Sequence, residues 1–182
     1  MQKDNNFNRQ HILLDTNILI ASIKQSIGIK VFTDFLSENE CTQIIIDAVS
    51  FELLGYSKDP SEYKILDNFL KPFIKIPSKN EDVNNAIWLS VLIKHKIPQI
   101  RKQISYTDFL IAAQLMKYKK RIILATTNWR DFPDIIFDRI KIMAIDTGKE
   151  VLTIAFIQFN QEKYKKIAED FKKGLELLEN KK

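Results

Sequence analysis

Short aliphatic runs alternate along this chain with stretches of helical period, and that alternation predicts an α/β protein with a central, mostly parallel sheet. His11 to Asp15, Thr42 to Ile46, Phe73 to Ile76, Arg121 to Ala125 and Ile140 to Ile145 read as strands; most are apolar without alternation, as strands buried on both faces are. Between them, Val31, Phe32, Phe35 and Leu36 mark an amphipathic helix. Asp47 is placed to cap a second helix that carries Val49, Phe51, Leu53 and Leu54 and closes near Gly55. Tyr63 to Phe69 is helical in pattern. Ser78-x-x-Glu81 reads as a capping box opening a helix to about Lys94, which Pro98 stops. Ser105-x-x-Asp108 is a second capping box, followed by a segment from Phe109 to Met116 that is apolar almost all round and therefore central.

The character changes at Thr147. Val151 to Phe159 is β-prone, and Tyr164, Ile167, Ala168, Phe171, Leu175 and Leu178 recur at helical spacing. The predicted organisation is one domain over residues 1–146 and a C-terminal extension over 147–182. The extension comprises a strand-like segment and an amphipathic helix whose stripe docks on the domain or on a partner.

Composition narrows the class. The 182 residues are 45% hydrophobic, enough for one full core. Cys41 is the single cysteine, which excludes an internal disulfide and leaves no sign of secretion. With four glycines there is no glycine-rich phosphate loop. No apolar run reaches the eighteen or so residues of a membrane span, so a soluble, cytoplasmic protein is expected. The net charge of +5 weakly favours a polyanionic partner. The bases cluster in two places on either side of Asp108: Lys94, Lys96, Arg101 and Lys102, and then Lys117, Lys119, Lys120 and Arg121. Such clusters are usually solvated faces, but the first is the candidate for substrate phosphate contacts.

Candidate chemistry begins at Asp15, an acid inside the run Leu13 to Ile20. A buried carboxylate must be hydrogen-bonded, paired or bound to a cation. In a parallel sheet ligands bind beyond the carboxyl ends of the strands, and Asp15, Glu52, Asp108 and Asp131 all fall just after a strand or at a helix start. Each has an ordinary explanation: Asp15 can close a turn, Asp108 can cap a helix, Glu52 can be solvated and Asp131 can pair on the surface with Arg130. Brought together, however, four carboxylates without a base would repel one another, which implies divalent cations, and hard oxygen donors favour Mg²⁺ or Mn²⁺. His11 and His95 have no partners that would make either a general base. Trp88 is expected to pack in its helix, and Trp129 is a candidate for stacking an unpaired base.

Four segments carry a resemblance. Leu14-Asp15-Thr16-Asn17, Ser50-Phe51-Glu52-Leu53-Leu54, Thr107-Asp108-Phe109-Leu110-Ile111-Ala112-Ala113 and Thr126-Thr127-Asn128-Trp129-Arg130-Asp131-Phe132 resemble, in order and spacing, the successive motifs of PIN-domain ribonucleases. The resemblance spans about residues 11–146. It implies a three-layer α/β/α fold and Mg²⁺- or Mn²⁺-dependent hydrolysis of RNA, with Asp15, Glu52 and Asp108 as catalytic and metal-binding carboxylates. Asp131 would complete the set as the better ligand of the pair Asn128 and Asp131, while Asn17, Thr126 and Asn128 would support it. It further implies a toxin with a cognate antitoxin protein and a homodimer. The other readings are a catalytically silent RNA-binding or scaffold domain and, at this length less suitably, a flap-endonuclease type of DNA nuclease.

Overall fold

The apolar run at the start of the chain breaks at Asp15 into two elements. β1 (His11–Leu14) ends before it and α1 (Thr16–Ile23) begins after it, so Ile18 and Leu19, which look like more strand, are buried from a helix. The structure is a computed structural model and describes residues 7–24, 27–98, 104–146 and 151–179. The chain continues through α2 (Ile27–Glu38), β2 (Thr42–Ile46), α3 (Asp47–Gly55), α4 (Pro60–Leu70), β3 (Ile74–Ile76), α5 (Asn80–Lys96) and α6 (Tyr106–Tyr118). It closes with β4 (Ile122–Thr126), β5 (Phe137–Asp146), β6 (Val151–Phe159) and α7 (Gln161–Glu179).

The six strands form one sheet in the order β3-β2-β1-β4-β6-β5. The first four are mutually parallel, and β6 runs antiparallel to both β4 and β5. All five residues of β4 are buried, which requires cover on both faces of the sheet, and this is the mostly parallel α/β/α architecture that the pattern predicts. Ile140 to Ile145 lies within an edge strand that is antiparallel rather than part of the parallel set, because its partner is β6 and not a strand reached by a helical crossover. Residues 151–159, set apart in the sequence reading as the start of an extension, supply an internal strand of the sheet.

Two helix starts depart from the predicted capping: Asp47 is the first residue of α3, after Ile46, rather than its cap, and α5 is entered without Ser78 or Glu81 as its capping pair. At α5 the carboxylate of Asp82, not that of Glu81, accepts the Lys79 N–H at 2.9 Å. Asp82 is wholly buried and also accepts from Lys117 Nζ on α6 at 2.7 Å, so burial between the two helices selects it. Ser78 serves another purpose. Its N–H, at 2.9 Å, and its hydroxyl, through a very short bond, both donate to Asp47 at the start of α3, tying the entry of α5 to the end of β2.

The apolar stripe of α7 docks on the protein itself. Trp88 of α5 donates its indole N–H to the Tyr164 hydroxyl at 3.1 Å, and its ring meets Phe171 edge-on at 5.4 Å. Lys96 pairs with Asp170 at 3.1 Å. Farther along α7, Leu175 and Leu177 are exposed.

Candidate active site

The strand order places a switch point at β1. From β1 the chain moves outward to β2 and β3, then returns past β1 to lay down β4 on its other side. Loops leaving β1 and β4 therefore diverge at their carboxyl ends and leave a crevice, the usual ligand position in such sheets. Asp15 follows β1 directly, Glu52 sits on α3 after β2, Asn128 and Asp131 follow β4, and Asp108 occupies the first turn of α6. These residues line one cleft of about 310 Å³, together with Thr16, Asn17, Ile20, Tyr56 and Ser105.

Each carboxylate is held by its own donor. Asp15 accepts the Thr126 hydroxyl at 2.6 Å and the Asn17 amide at 2.5 Å. Asn17 also accepts the Thr127 N–H at 3.0 Å, and the Thr126 oxygen accepts the Asn128 N–H at 2.9 Å, so these residues lock the end of β1 to the turn after β4. Glu52 accepts the Thr16 hydroxyl at 2.7 Å. Asp108 accepts the Ser105 hydroxyl at 2.7 Å and its N–H at 3.1 Å, while Ser105 Oγ accepts the Asp108 N–H at 3.1 Å; the predicted capping box is present. Asn128 donates to Asp131 through a very short bond. As they stand, among the described residues, no three acidic, histidine or cysteine side chains converge as a ready-made metal cluster.

Electrostatically the cleft is costly. Among the described residues no basic side chain lines it. Burial pushes the Asp15 carboxyl above the usual range against the pull of Thr126 and Asn17, and Glu52 adds repulsion. Burial, with repulsion from Asp15 and Asp131, pushes Asp108 up to about 6 despite the Ser105 bonds. Four carboxylates bring hard oxygen donors to one cleft, and two of them, Asp15 and Asp108, are held above the usual range; such a set suits a divalent cation, so the residues fit Mg²⁺ or Mn²⁺.

The raised carboxyls carry a pH signature. In EDTA the native state binds more protons than the unfolded chain between the ordinary carboxyl range, near 4, and about 6, so stability should be highest below that window and fall as pH rises through it. Urea midpoints measured across that range check the sign. A midpoint that rose with pH and was unaltered by Asp108→Asn would contradict it.

Two of the four bases predicted to hold substrate lie away from the cleft. Lys94 and Lys96 do not line the cleft, and Lys96 is engaged with Asp170 of α7; Arg101 and Lys102 lie outside the described residues. Trp129 is half-buried against the core, with the Arg139 guanidinium 4.3 Å above its ring and that of Arg130 5.5 Å away, so its face is covered. Four cleft residues escaped sequence reasoning, among them Ile20, which reads only as part of the aliphatic run. Thr16 and Ser105 were visible as neighbours of Asp15 and Asp108, but their hydroxyls gained a role only through contact, and Tyr56 carried no signal beyond an aromatic past a helix end.

No protein-family model matches the sequence, and no curated protein is similar to it. Solved structures share its fold. A chain of VapBC2 from Rickettsia felis, bound to a DNA fragment from their promoter, is 23% identical over 68% of this chain and 91% of that one, with a TM-score of 0.53. A chain of a toxin-antitoxin complex from Klebsiella pneumoniae is 21% identical over 68% of this chain and 92% of that one, TM-score 0.52. A chain of VapBC-1 from nontypeable Haemophilus influenzae is 16% identical over 68% and 90%, TM-score 0.54. The likeness is one of fold. It covers nearly all of those chains and leaves about a third of this one without a counterpart.

Proposed function

We propose that this protein is a divalent-metal-dependent endoribonuclease with the acidic cleft as its active site, and the toxin of a type II toxin-antitoxin pair. The observation that carries the reading is the arrival of Asp15, Glu52, Asp108 and Asp131, from four separate elements, in one cleft at the strand ends with no base on its lining among the described residues. The toxin assignment rests on the fold shared with chains of toxin-antitoxin complexes, and a cognate antitoxin protein is its corollary.

In this reading the four acids hold Mg²⁺ or Mn²⁺. A cation bound there would neutralise charge on the oxygens of a phosphodiester and activate an attacking water. The chain's own part is to aim the carboxylates. Thr126 and Asn17 fix one Asp15 oxygen, and the Thr16 and Ser105 hydroxyls fix one oxygen each of Glu52 and Asp108. Asn128 spends its amide on Asp131, which makes Asp131 the fourth ligand and Asn128 its positioning residue. Against a catalytically silent RNA-binding domain stands the charge itself: four carboxylates on one lining make a poor phosphate site unless cations bind first.

RNA incubated with the purified protein should be cut internally in Mg²⁺ or Mn²⁺ and remain intact in EDTA. Equal cleavage in EDTA, or none with any cation, would sink the reading.

A further inference from the structure

The second basic cluster, Lys117 to Arg121, has no part in the acidic cleft, yet it borders a cavity of its own. This cavity, of about 880 Å³, opens where α6 ends, β4 begins and α7 starts, so it lies at the opposite end of β4 from the acids. Lys119, Lys120, Arg121 and Lys165 line it, are exposed, and make no ion pair among the described residues. The acids on the lining are fewer, and one of them, Asp138, is already occupied by Lys163 at 2.7 Å. The first turn of α7 also faces the cavity at Gln161 and Glu162, adding the positive end of a long helix.

The backbone points the same way. Lys119 has φ 54 and ψ −125, a conformation that suits glycine and strains lysine. A side chain retained at such a position calls for a reason, and its charge is one.

We infer that this basic cavity is a second nucleic-acid site, which grips the phosphate backbone of RNA away from the point of cleavage. The inference rests on the proposed ribonuclease reading for its choice of RNA. The acidic cleft repels phosphates and, among the described residues, has no base on its lining, whereas here four cations without an ion pair among the described residues are gathered on one concave surface that suits a polyanion. β4 separates the two sites by five residues, roughly 17 Å of strand. An RNA of about 20 nucleotides, about 70 Å at 3.4 Å of rise per nucleotide, is long enough to pass around the surface and reach both.

The test is binding, not cleavage. The full-length protein, in EDTA so that RNA stays whole, is titrated with a fluorescent 20-nucleotide RNA over a range of salt, and compared with a variant carrying Lys119→Gly, Lys120→Ala, Arg121→Ala and Lys165→Ala. Affinity should fall at least about tenfold and the slope of log K against log salt should become shallower by about 3, four charges at about 0.7 each for a single strand. A control that removes as many exposed bases elsewhere, Lys64, Lys75, Lys172 and Lys173 to alanine, should keep most of the affinity. Lys119→Gly alone should weaken binding while leaving the Tm unchanged or higher, which separates lost charge from lost fold. Equal losses in the cavity variant and the control overturn the site, as does an unchanged slope. Poly-glutamate bound as tightly as RNA, and lost in the same variant, would reassign the cavity to an acidic protein segment. Because nothing is cut in this experiment, its failure leaves hydrolysis at the acidic cleft standing, and a protein that cuts no RNA can still pass it.

Discussion

Asp108→Asn should lower RNA cleavage in Mg²⁺ by roughly a thousandfold and at the same time raise the stability of the metal-free protein at pH 7. The two effects share a cause. Asp108 reaches about 6 because it is buried and faces Asp15 and Asp131, so at neutral pH the folded protein holds an ionised carboxylate that its surroundings oppose. Asparagine keeps an oxygen for the Ser105 hydroxyl and N–H and removes the charge. After allowance for solvent screening, the gain should be up to about 2 kcal/mol in urea unfolding. An ordinary capping acid would behave in the opposite sense, since a charge at a helix start is favourable and its removal destabilises. Undiminished cleavage in the variant would end the catalytic assignment. A loss of stability with cleavage intact would reduce Asp108 to a cap.

Much of the candidate site is readable in the sequence. Carboxylates cannot sit in aliphatic surroundings without cause, and Asp15 after a buried strand is such an anomaly. The capping box Ser105-x-x-Asp108 is local chemistry, fixed by spacing of three residues, and the structure contains it. The strands were legible for a similar reason: Ile44 to Ile46 of β2 and Ile122 to Ala125 of β4 are uninterrupted apolar runs, buried throughout. Where two local rules competed, the reading slipped. Ile18 to Ile20 continues the apolar run of β1, and hydropathy alone does not show that the chain turns into a helix at Asp15. Glu81 and Asp82 are both acids near the start of α5, and only the approach of Lys117 from α6 decides between them.

What depends on distant partners was not legible. Lys96 looks like a free base until α7 brings Asp170 to it, and Trp129 looks like an open aromatic until Arg139 of β5 covers its face. The same holds for the placement of β6. Its sequence says strand, but nothing local says that it inserts between β4 and β5 and so lies inside the sheet.

That insertion makes Phe156→Ala the substitution with the largest expected effect on stability, a loss of about 4 kcal/mol. Phe156 is wholly buried on β6, with its ring 4.8 Å from Phe7, 5.6 Å from Phe35 and 6.0 Å from Phe32, so it joins the sheet to α2 and to the residues before β1. A loss of that size is a large share of a typical domain's 5–15 kcal/mol and should be plain in urea unfolding followed by far-UV circular dichroism. The effect should also reach the cleft. Phe156 pairs with Ala125 and Ala155 with Thr126, the residue whose hydroxyl holds Asp15, so β6 supports the strand end on which the acids are hung. Deleting residues 151–182 should therefore abolish folding rather than release a detachable tail, because it strips β4 of a neighbour along Leu124 to Thr126 and exposes the ring cluster around Phe156. A truncated protein that kept a cooperative transition, or a Phe156→Ala loss below about 1 kcal/mol, would show instead that the first 146 residues form a self-sufficient core and that β6 merely covers its edge.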